Sequence, residues 1–443
     1  MFMRSLHVLT AVLFVFVSVK TEAQAGFTLQ EAMDYAAKNS YMIQKSEMDV
    51  DKADGKVKET TGMGLPQISG MGEFQNFLDI PTVLVPDFGG NPENLIPAQF
   101  GTNYNITGGV EANQLLFDGS YIVALQAART YRELSENVYF KTKQEVKAAV
   151  ANAYAAVIVA AENRKTLEGN YEALQTTYDE TRALYEEGFV EEQDADQLNI
   201  LLRNNKNQLA QAERLESIAS KLLKFQMGIP VDSNITLQDS IDKIVGFGID
   251  PSAAAEPFNE NANIDFRIAL TNQTAKELEL KNQRALALPR LNAFFSYRQQ
   301  FFSNELNVGA NNVWFPATVW GLNLNVPLFT GLQRHYAIKQ SQIELEQANL
   351  ERIEKSEELK MEFERYKSDF SFALEQFKNN KDNLDLAGKI LNNETIKFKE
   401  GVSSGLDLAQ VQQQFFQTQS EYVQSINSLV EAKTNLDKIL NKY

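Results

Sequence analysis

The chain has 443 residues, of which 44% are hydrophobic and 23% charged, and its formal net charge at pH 7 is -16. This composition is typical of a folded protein and excludes a disordered or collagen-like chain. The absence of cysteine excludes disulfides, zinc ribbons, iron–sulfur clusters and thiol nucleophiles. Because phosphate binding needs clustered Lys and Arg, the acidic balance also argues against a nucleic-acid partner.

Residues 1–25 have the layout of a secretory signal peptide. Arg4 supplies the positive charge, residues 8–19 form an apolar stretch, and Ala23 and Ala25 frame a small-residue cleavage site. We expect this segment to be removed on export, without a lipid anchor, because no cysteine follows it. The alternative for the same residues is an N-terminal core helix.

Beyond this segment, no stretch predicts a membrane-spanning helix. The longest nearly apolar stretch, residues 148–161, has 14 residues, whereas a spanning helix needs about 20. The pattern excludes a helical crossing only, because amphipathic strands can also meet lipid.

Short motifs recur in the same order in the two halves of the chain. From the phenylalanine of the second motif to the glycine of the third, the spacing is 71 residues in the first copy and 72 in the second. The matched segments are Leu65-Pro-Gln-Ile68 and Leu288-Pro-Arg-Leu291, Leu116-Phe-Asp-Gly119 and Leu328-Phe-Thr-Gly331, and Tyr185-Glu-Glu-Gly188 and Phe398-Lys-Glu-Gly401. Matched order and spacing indicate a tandem duplication.

Each copy is predicted as a helix, a β-hairpin, a long helix and a return helix. The first repeat is residues 26–230, with the hairpin at 66–117, the long helix at 120–187 and the return helix at 195–227. Residues 231–263 are predicted as a linker. The second repeat is residues 264–443, with the hairpin at 289–329, the long helix at 332–400 and the return helix at 405–440.

The predicted strands alternate between an apolar and a polar face. In the second hairpin the apolar positions are Leu291, Ala293, Phe295 and Tyr297, and the polar ones between them are Arg290, Asn292, Ser296 and Arg298. Trp314, Trp320 and Phe301 are predicted near the outer ends of this hairpin, as in an aromatic girdle. This pattern suits a sheet that separates lipid from water.

The long helices carry a heptad pattern typical of coiled coils. In the second copy, apolar residues recur every seven positions at Phe363, Phe370, Phe377, Leu384, Leu391 and Phe398. No proline occurs in residues 98–229 or 328–443, as long uninterrupted helices require. The tip glycines Gly188 and Gly401 are expected to turn the chain back into an antiparallel helix.

Four strands per chain cannot close a membrane barrel alone, because an open sheet edge in lipid leaves backbone groups unpaired. Two chains would give an eight-stranded barrel filled by its own side chains, and three would give twelve strands around a lumen. The predicted fold class is therefore mainly α with a transmembrane β part. It consists of long antiparallel coiled-coil helices and a 12-stranded β-barrel that is assembled from a trimer, with four strands per chain.

The duplicated helix–hairpin–long-helix plan resembles the TolC-like outer membrane efflux protein family. The resemblance rests on the two Leu-Pro motifs, the two tip glycines with an aspartate six residues on, and the segments Val326-Pro-Leu-Phe-Thr-Gly331 and Phe225-Gln-Met-Gly-Ile-Pro230. It covers residues 27–442. Where the family has a second glycine after the Phe-Asp-Gly motif, this chain has Ser120 and Leu332.

The resemblance implies a homotrimeric duct in the cell outer membrane that extends into the periplasm as a long antiparallel coiled-coil α-barrel. It would be the exit of a tripartite efflux or type I secretion system, with a periplasmic adaptor, an inner-membrane transporter and outer membrane lipid as partners. It assigns Asp407 to the periplasmic entrance and the tips at Gly188 and Gly401 to adaptor docking. The neighbouring and repeat-related entrance candidates are Asp194, Gln197 and Gln410. Gln410 stands where some members carry a second acidic residue, which argues against a double acidic ring.

Two alternatives belong to other classes of protein. A periplasmic coiled-coil scaffold or adaptor would explain the heptads but would leave the alternating strands without a purpose. An exported hydrolase is disfavoured, because His335 is the one histidine outside the predicted signal peptide and has no acidic residue within four positions. We therefore expect no enzyme activity, no cofactor and no metal site, and the cargo stays open between drug, metal and protein.

Overall fold

The computed structural model describes residues 26–87, 89–90, 93–306 and 313–443, so the predicted signal peptide lies outside the described residues. The helices are α1 Leu29–Asn39, α2 Tyr41–Gly62, α3 Gly119–Glu186, α4 Glu192–Met227, α5 Ile241–Ile249, α6 Ser252–Ala255, α7 Ile264–Ala285, α8 Gln333–Lys399 and α9 Gly405–Ile439. The strands are β1 Gly26–Phe27, β2 Gln67–Asn76, β3 Thr82–Pro86, β4 Leu95–Gln99, β5 Tyr104–Asp118, β6 Thr236–Leu237, β7 Arg290–Ser303 and β8 Phe315–Asn325. Among the described helices, none is long and apolar enough to cross a membrane.

The chain forms two compact units. One contains residues 26–36, 150–249 and 379–430, which include the helix tips, and the other contains residues 37–149, 250–378 and 431–443, which include the main sheet. The prediction of a mainly helical chain with an internal repeat and four long strands is confirmed.

The second unit contains an antiparallel sheet of four strands in the order β2-β5-β7-β8. Each repeat contributes one hairpin, and the two hairpins join through β5 and β7. Gln67 pairs with Asn113 in the first hairpin, and the equivalent Arg290 pairs with Asn325 in the second. The same register in both copies reflects the duplication, since Gln67 and Arg290 follow the two Leu-Pro motifs.

The helices that lead into the two hairpins also match in length and in the position of their N-caps. Both α2 and α7 have 22 residues and begin after a polar N-cap, Ser40 or Asn263. Ser40 Oγ accepts a hydrogen bond from Ile43 N at 3.3 Å, and Asn263 Oδ1 accepts one from Asp265 N at 2.9 Å. Such caps satisfy backbone N–H groups at the first turn and fix where a helix begins.

Two segments contain more structure than the sequence predicts. Inside the first predicted hairpin, residues 78–102 hold the antiparallel ladder of β3 and β4, in which β-branched and apolar residues pair. The predicted linker at 231–263 holds β6, α5, α6 and a 3-10 turn at Glu260–Ala262. Both sets of elements are too short for a periodic pattern to reveal them.

In the first unit, the start of the described chain is fixed by a buried tyrosine and an aspartate. β1 pairs in parallel with β6, and the buried Tyr154 hydroxyl lies 2.8 Å from the Phe27 carbonyl oxygen and 3.1 Å from Asp239 Oδ2. The Leu29 backbone N–H donates to Asp239 Oδ2 at 2.7 Å. Burial acts to raise the pKa of Asp239, but hydrogen bonds from Leu29, Lys243 and Tyr154 outweigh it and hold that pKa below its ordinary value.

We expect Asp239→Ala to speed amide hydrogen exchange in β1 and α1. The substitution leaves Leu29 N–H without its acceptor, and the loss of about 1–3 kcal/mol corresponds to exchange that is roughly five to a hundred times faster. Because the folded pKa of Asp239 is lowered, its stabilisation is present above the ordinary Asp pKa and is lost as the pH falls through the folded pKa. Amide exchange measured by mass spectrometry should therefore differ between the native protein and Asp239→Ala at neutral pH and become similar in acid. Asp239→Asn should lose less protection than Asp239→Ala.

Candidate functional site: the helix tips

Both long helices end in the same left-handed turn. Gly188 has a φ of 81° and Gly401 a φ of 72°, a conformation that strains residues with a Cβ. At the first tip, Gly188 N donates to Tyr185 O and Phe189 N donates to Leu184 O, both at 2.9 Å. The second tip repeats these two bonds, which define a Schellman motif.

Replacing either tip glycine by alanine should destabilise its tip by about 1 kcal/mol, because alanine lacks glycine's access to positive φ. Gly169 provides a matched control inside α3, where an added Cβ would meet nothing within 4 Å. Gly169→Ala should be neutral or stabilising by up to about 1 kcal/mol. Chemical unfolding followed by circular dichroism compares the variants, and equal effects at Gly169, Gly188 and Gly401 would contradict the assignment.

Behind the tips the helices pack through leucines. The buried cluster consists of Leu174, Leu198, Leu201, Leu202 and Leu408, with Tyr171, Tyr178, Leu391 and Phe398 packed against it. These residues come from α3, α4, α8 and α9, so the heptad positions of both repeats meet in one core. This core positions the polar residues at the starts of α4 and α9.

Asp194 links the two repeats at the tips. Its Oδ1 accepts a hydrogen bond of 2.9 Å from the backbone N–H of Gly405, the first residue of α9. Asp194 itself lies in the first turn of α4. A carboxylate at a helix N-terminus satisfies a free N–H group and interacts favourably with the helix dipole. The side chain therefore joins the start of one return helix to the start of the other.

Asp407, its counterpart in the second repeat, forms its hydrogen bonds within its own turn in the described part of the chain. Its Oδ2 accepts from Ser404 Oγ at 2.7 Å, and Ser404 Oγ accepts from Asp407 N at 3.2 Å, which is a capping-box arrangement. The hydrogen bond from the Ser404 hydroxyl, followed by that from the Ser404 backbone, holds the pKa of the exposed Asp407 below its usual range. Asp407 therefore keeps its negative charge at neutral pH, facing solvent.

The two glutamines also differ. Gln410 is exposed, whereas Gln197 is half-buried, and its Oε1 has no hydrogen-bond partner within the described part of the chain. A cavity of about 1070 Å³ beside the tips is lined by Asp194, Gln197 and Gly401, together with the acidic Glu180, Glu187 and Glu191. The structure thus brings Asp194, Gln197 and Gly401 to one cavity, and places Asp407 and Gln410 on exposed surface.

Comparison with known proteins identifies the family. A sequence model of the family described as outer membrane efflux protein matches residues 32–228 and 260–442, which is most of the chain. The chain belongs to the outer membrane efflux protein family. The two matched segments fit the two repeats. A search of curated proteins found no match.

Solved structures of outer membrane channels share the efflux-protein fold. The CmeC outer membrane channel of Campylobacter jejuni is 15% identical, with a TM-score of 0.71 over 99% of this chain and 94% of that one. VceC of Vibrio cholerae is 14% identical, with a TM-score of 0.69 over 93% of this chain and 95% of that one. The open state of MtrE of Neisseria gonorrhoeae is 15% identical, with a TM-score of 0.69 over 93% and 88%.

Further contacts at the second tip of this efflux protein carry no sequence signal. Glu394 accepts a hydrogen bond from Ser403 Oγ and pairs with Lys397 at 3.1 Å, and the Ser403 hydroxyl, then Lys397, lowers the pKa of Glu394. These contacts hold the turn that follows Gly401. The Ser404–Asp407 cap does follow a recognisable pattern of serine with an acidic residue three positions on. The Asp194–Gly405 bond joins residues too distant in sequence for any local pattern.

The three aromatic candidates occupy different places in the second hairpin. Phe301 lies near the hairpin end, is only 4% exposed, and packs against Trp314 with ring centroids 5.5 Å apart. Trp320 pairs with Phe295 in the middle of β8 and is 77% exposed, so it does not lie at the hairpin end. Register in the sheet, which the sequence alone does not give, separates Trp320 from the other two. An aromatic girdle stays a prediction.

The other site classes have little support in the described residues. No group of three or more His, Asp or Glu side chains that could hold a metal ion occurs among them. His335, on which a hydrolase would depend, lies in the first turn of α8 with its ring 5.2 Å from that of Tyr336.

Proposed function

We propose that three copies of this chain form an exit duct across the outer membrane and into the periplasm. Cargo would pass through it without a chemical step, and an inner-membrane transporter would supply the energy through a periplasmic adaptor. Membership in the outer membrane efflux protein family supports this function and argues against an enzyme. The duct would serve a tripartite efflux or type I secretion system.

The observation that carries the proposal is the open sheet. Its outer strands β2 and β8 each have one neighbour among the described strands, and strand directions alternate along the sheet. β8 of one copy can therefore pair in antiparallel fashion with β2 of the next. Three copies close a ring of twelve strands that leaves a lumen, whereas eight strands would fill with side chains.

The exposed apolar face of the sheet supports contact with lipid. Large side chains on it are more than a third exposed in the single chain, namely Ile68, Phe74, Val110, Phe295, Tyr297, Trp320, Leu322 and Leu324. A contiguous apolar surface of this kind marks a membrane or a protein contact. A periplasmic scaffold without membrane insertion would leave it in water.

We place the periplasmic entrance at the helix tips. Asp407 and Gln410 would border the entrance as exposed polar residues, and Asp194 and Gln197 would lie behind them beside the cavity. Each tip glycine is followed by an exposed apolar residue, Phe189 or Val402. These turns would present a small apolar contact to an adaptor.

Single-channel recording in a planar bilayer tests the duct. Purified protein should form pores of uniform conductance, and mass measurement in detergent should give three chains. A protein that extracts into buffer without detergent would favour the scaffold. Protein that is shown to be inserted but stays silent, even when Asp194, whose bond to Gly405 joins the two return helices, is replaced by alanine, would count against the duct.

A further inference from the structure

We infer that the contact between neighbouring copies repeats, position by position, the contact between the two repeats of one chain, with an apolar centre in place of the polar one and without its ion pairs. The inference rests on the proposed trimer and adds its register and its residue pairs. In the sheet, β5 meets β7 within one chain, so β8 should meet β2 of the next copy in the same way. In the helices, α3 meets α7, so α8 should meet α2 of the next copy.

Equivalent positions follow from features shared by the repeats. Because α2 and α7 match from their N-caps, Met48 corresponds to Thr271. In the long helices, Leu350 lies 51 residues before Gly401, and Asn137 lies 51 residues before Gly188. This alignment also matches buried positions, pairing Val146 with Leu359 and Ala128 with Ser341. The extra residue of the second copy falls at Gly331–Leu332, where both residues have positive φ.

The contact within the chain is polar at its centre. The buried Asn137 of α3 donates from Nδ2 to Thr271 Oγ1 of α7 at 3.2 Å and accepts from Arg267 at 3.0 Å. One turn away, Lys141 Nζ pairs with Asp265 Oδ1 at 2.6 Å. Seven residues toward the sheet in each helix, Thr130 and Leu278 are both buried. This contact therefore contains an amide network, an ion pair and a small residue matched to a large one.

The free faces of α8 and α2 carry the complementary set. Asn137 and Thr271 correspond to Leu350 and Met48, which are 63% and 66% exposed in the single chain. Thr130 and Leu278 correspond to the exposed Ile343 and to Gly55, where an added Cβ would meet nothing within 4 Å. The large residue has moved to the other helix, so Ile343 of one copy has space over Gly55 of the next. Large apolar residues exposed at seven-residue spacing are typical of an unfilled helix contact.

The ion pairs are not repeated on the free faces. Asp118 of β5 accepts from Arg290 Nε of β7 at 2.6 Å, and the equivalent residues are Thr330 and Gln67. Lys141 and Asp265 correspond to Glu354 and Met42, which cannot form an ion pair. The difference between the Leu-Phe-Asp-Gly and Leu-Phe-Thr-Gly motifs therefore removes the carboxylate of the Asp118–Arg290 ion pair. The difference between the two Leu-Pro motifs removes its guanidinium.

The strands give an independent check on the register. Val110 pairs with Tyr297 on the apolar face, and the equivalent residues, Leu322 and Phe74, also both lie on that face. Phe117 pairs with Leu291, and the equivalents are Phe329, which is 83% exposed, and the exposed Ile68. Residues 326–330 follow β8 outside any strand, although four of their five equivalents in β5 are paired with β7 and the fifth, Leu116, lies at a bulge. Pairing with β2 of a second copy would extend β8 through them.

The different chemistry of the two contacts makes each selective for its own partner. If α8 met α7 of another copy in place of α2, Leu350 would face Thr271 and Arg267, leaving the guanidinium without its acceptor. If α3 met α2 of another copy, Asn137 would face Met48 and lose its hydrogen bonds. Buried polar groups without partners are costly, so each contact disfavours the other arrangement. A second copy of this chain is therefore the occupant that fits the α8 face.

Disulfide trapping tests the register directly, because the chain has no native cysteine. The variant with Leu350→Cys and Met48→Cys, purified from membranes in detergent and oxidised, should shift from one chain to covalently joined dimers and trimers on a non-reducing gel. The intrachain variant with Asn137→Cys and Thr271→Cys should lose its free thiols with no increase in mass. The off-register variant with Leu350→Cys and Gly62→Cys should stay a single chain, because Gly62 lies about 21 Å from Met48 along α2.

The outcomes separate this inference from the proposed function. Crosslinked chains in the variant with cysteines at Leu350 and Met48, and none in the variant with cysteines at Leu350 and Gly62, would support both the register and the trimer. Two results would overturn the register but leave the trimer standing, provided that the protein has the mass of three chains. One is crosslinking of the variant with Leu350→Cys and Gly62→Cys. The other is no crosslinking between chains in either variant although the intrachain pair oxidises. A protein that stays monomeric in detergent without oxidation overturns the trimeric duct itself.

Discussion

Leu350→Lys should abolish assembly of the trimer and leave a folded single chain. Leu350 is exposed in the chain alone, so the fold loses no buried contact when it is replaced. In the inferred contact, however, the lysine charge would be taken out of water against the apolar Met48 of the next copy, which is unfavourable. We expect the mass in detergent to fall from three chains to one, with an unchanged far-ultraviolet circular dichroism spectrum.

A compensating change provides the control. Met48→Glu alone should also prevent assembly, because it places a carboxylate in the same apolar contact. The double variant with Leu350→Lys and Met48→Glu places opposite charges across from each other and should recover part of the trimer. Recovery in the double variant but in neither single one would show that the two residues meet across copies. Trimers of normal mass in Leu350→Lys would instead show that this face of α8 lies outside the contact.

The pattern of the sequence is sufficient to predict the elements that repeat. Alternation along residues 290–298 predicts a strand, the heptads from Phe363 to Phe398 predict a long helix, and matched motifs predict two copies. Each of these features depends on residues close together in the chain. The structure confirms the mainly helical class, the four long strands and the internal repeat.

Contacts between distant residues could not be predicted in the same way. The pairing of β5 with β7 decides that Asp118 meets Arg290, and the register of β8 decides that Trp320 lies in mid-strand. The two tip aspartates occupy equivalent positions in the sequence, yet Asp194 reaches Gly405 and Asp407 stays with its own cap. Tertiary packing separates them, because only one of the two lies against the start of the other repeat's helix.

Asp194→Ala should increase the open fraction of the proposed duct, and Asp407→Ala should not. The bond from Gly405 N to Asp194 Oδ1 connects the starts of α4 and α9, so its loss frees one return helix from the other. Hydrogen bonds to charged groups contribute about 1.5–3 kcal/mol, and the half-exposed position of Asp194 places its contribution near the lower end. A change of about 1.4 kcal/mol shifts the ratio of open to closed tips roughly tenfold.

The paired variants distinguish a link between helices from a loss of charge. Both substitutions remove one carboxylate, but among the described residues the hydrogen bonds of Asp407 go to Ser404 in its own turn. Single-channel recording at one voltage should therefore show a higher open probability for Asp194→Ala, while Asp407→Ala changes the conductance for cations through charge alone. Asp194→Asn retains an acceptor oxygen for Gly405 N and should fall between the native protein and the alanine variant. Equal open probabilities for the Asp194 and Asp407 variants would mean that charge at the entrance, and not the link between α4 and α9, keeps the tips closed.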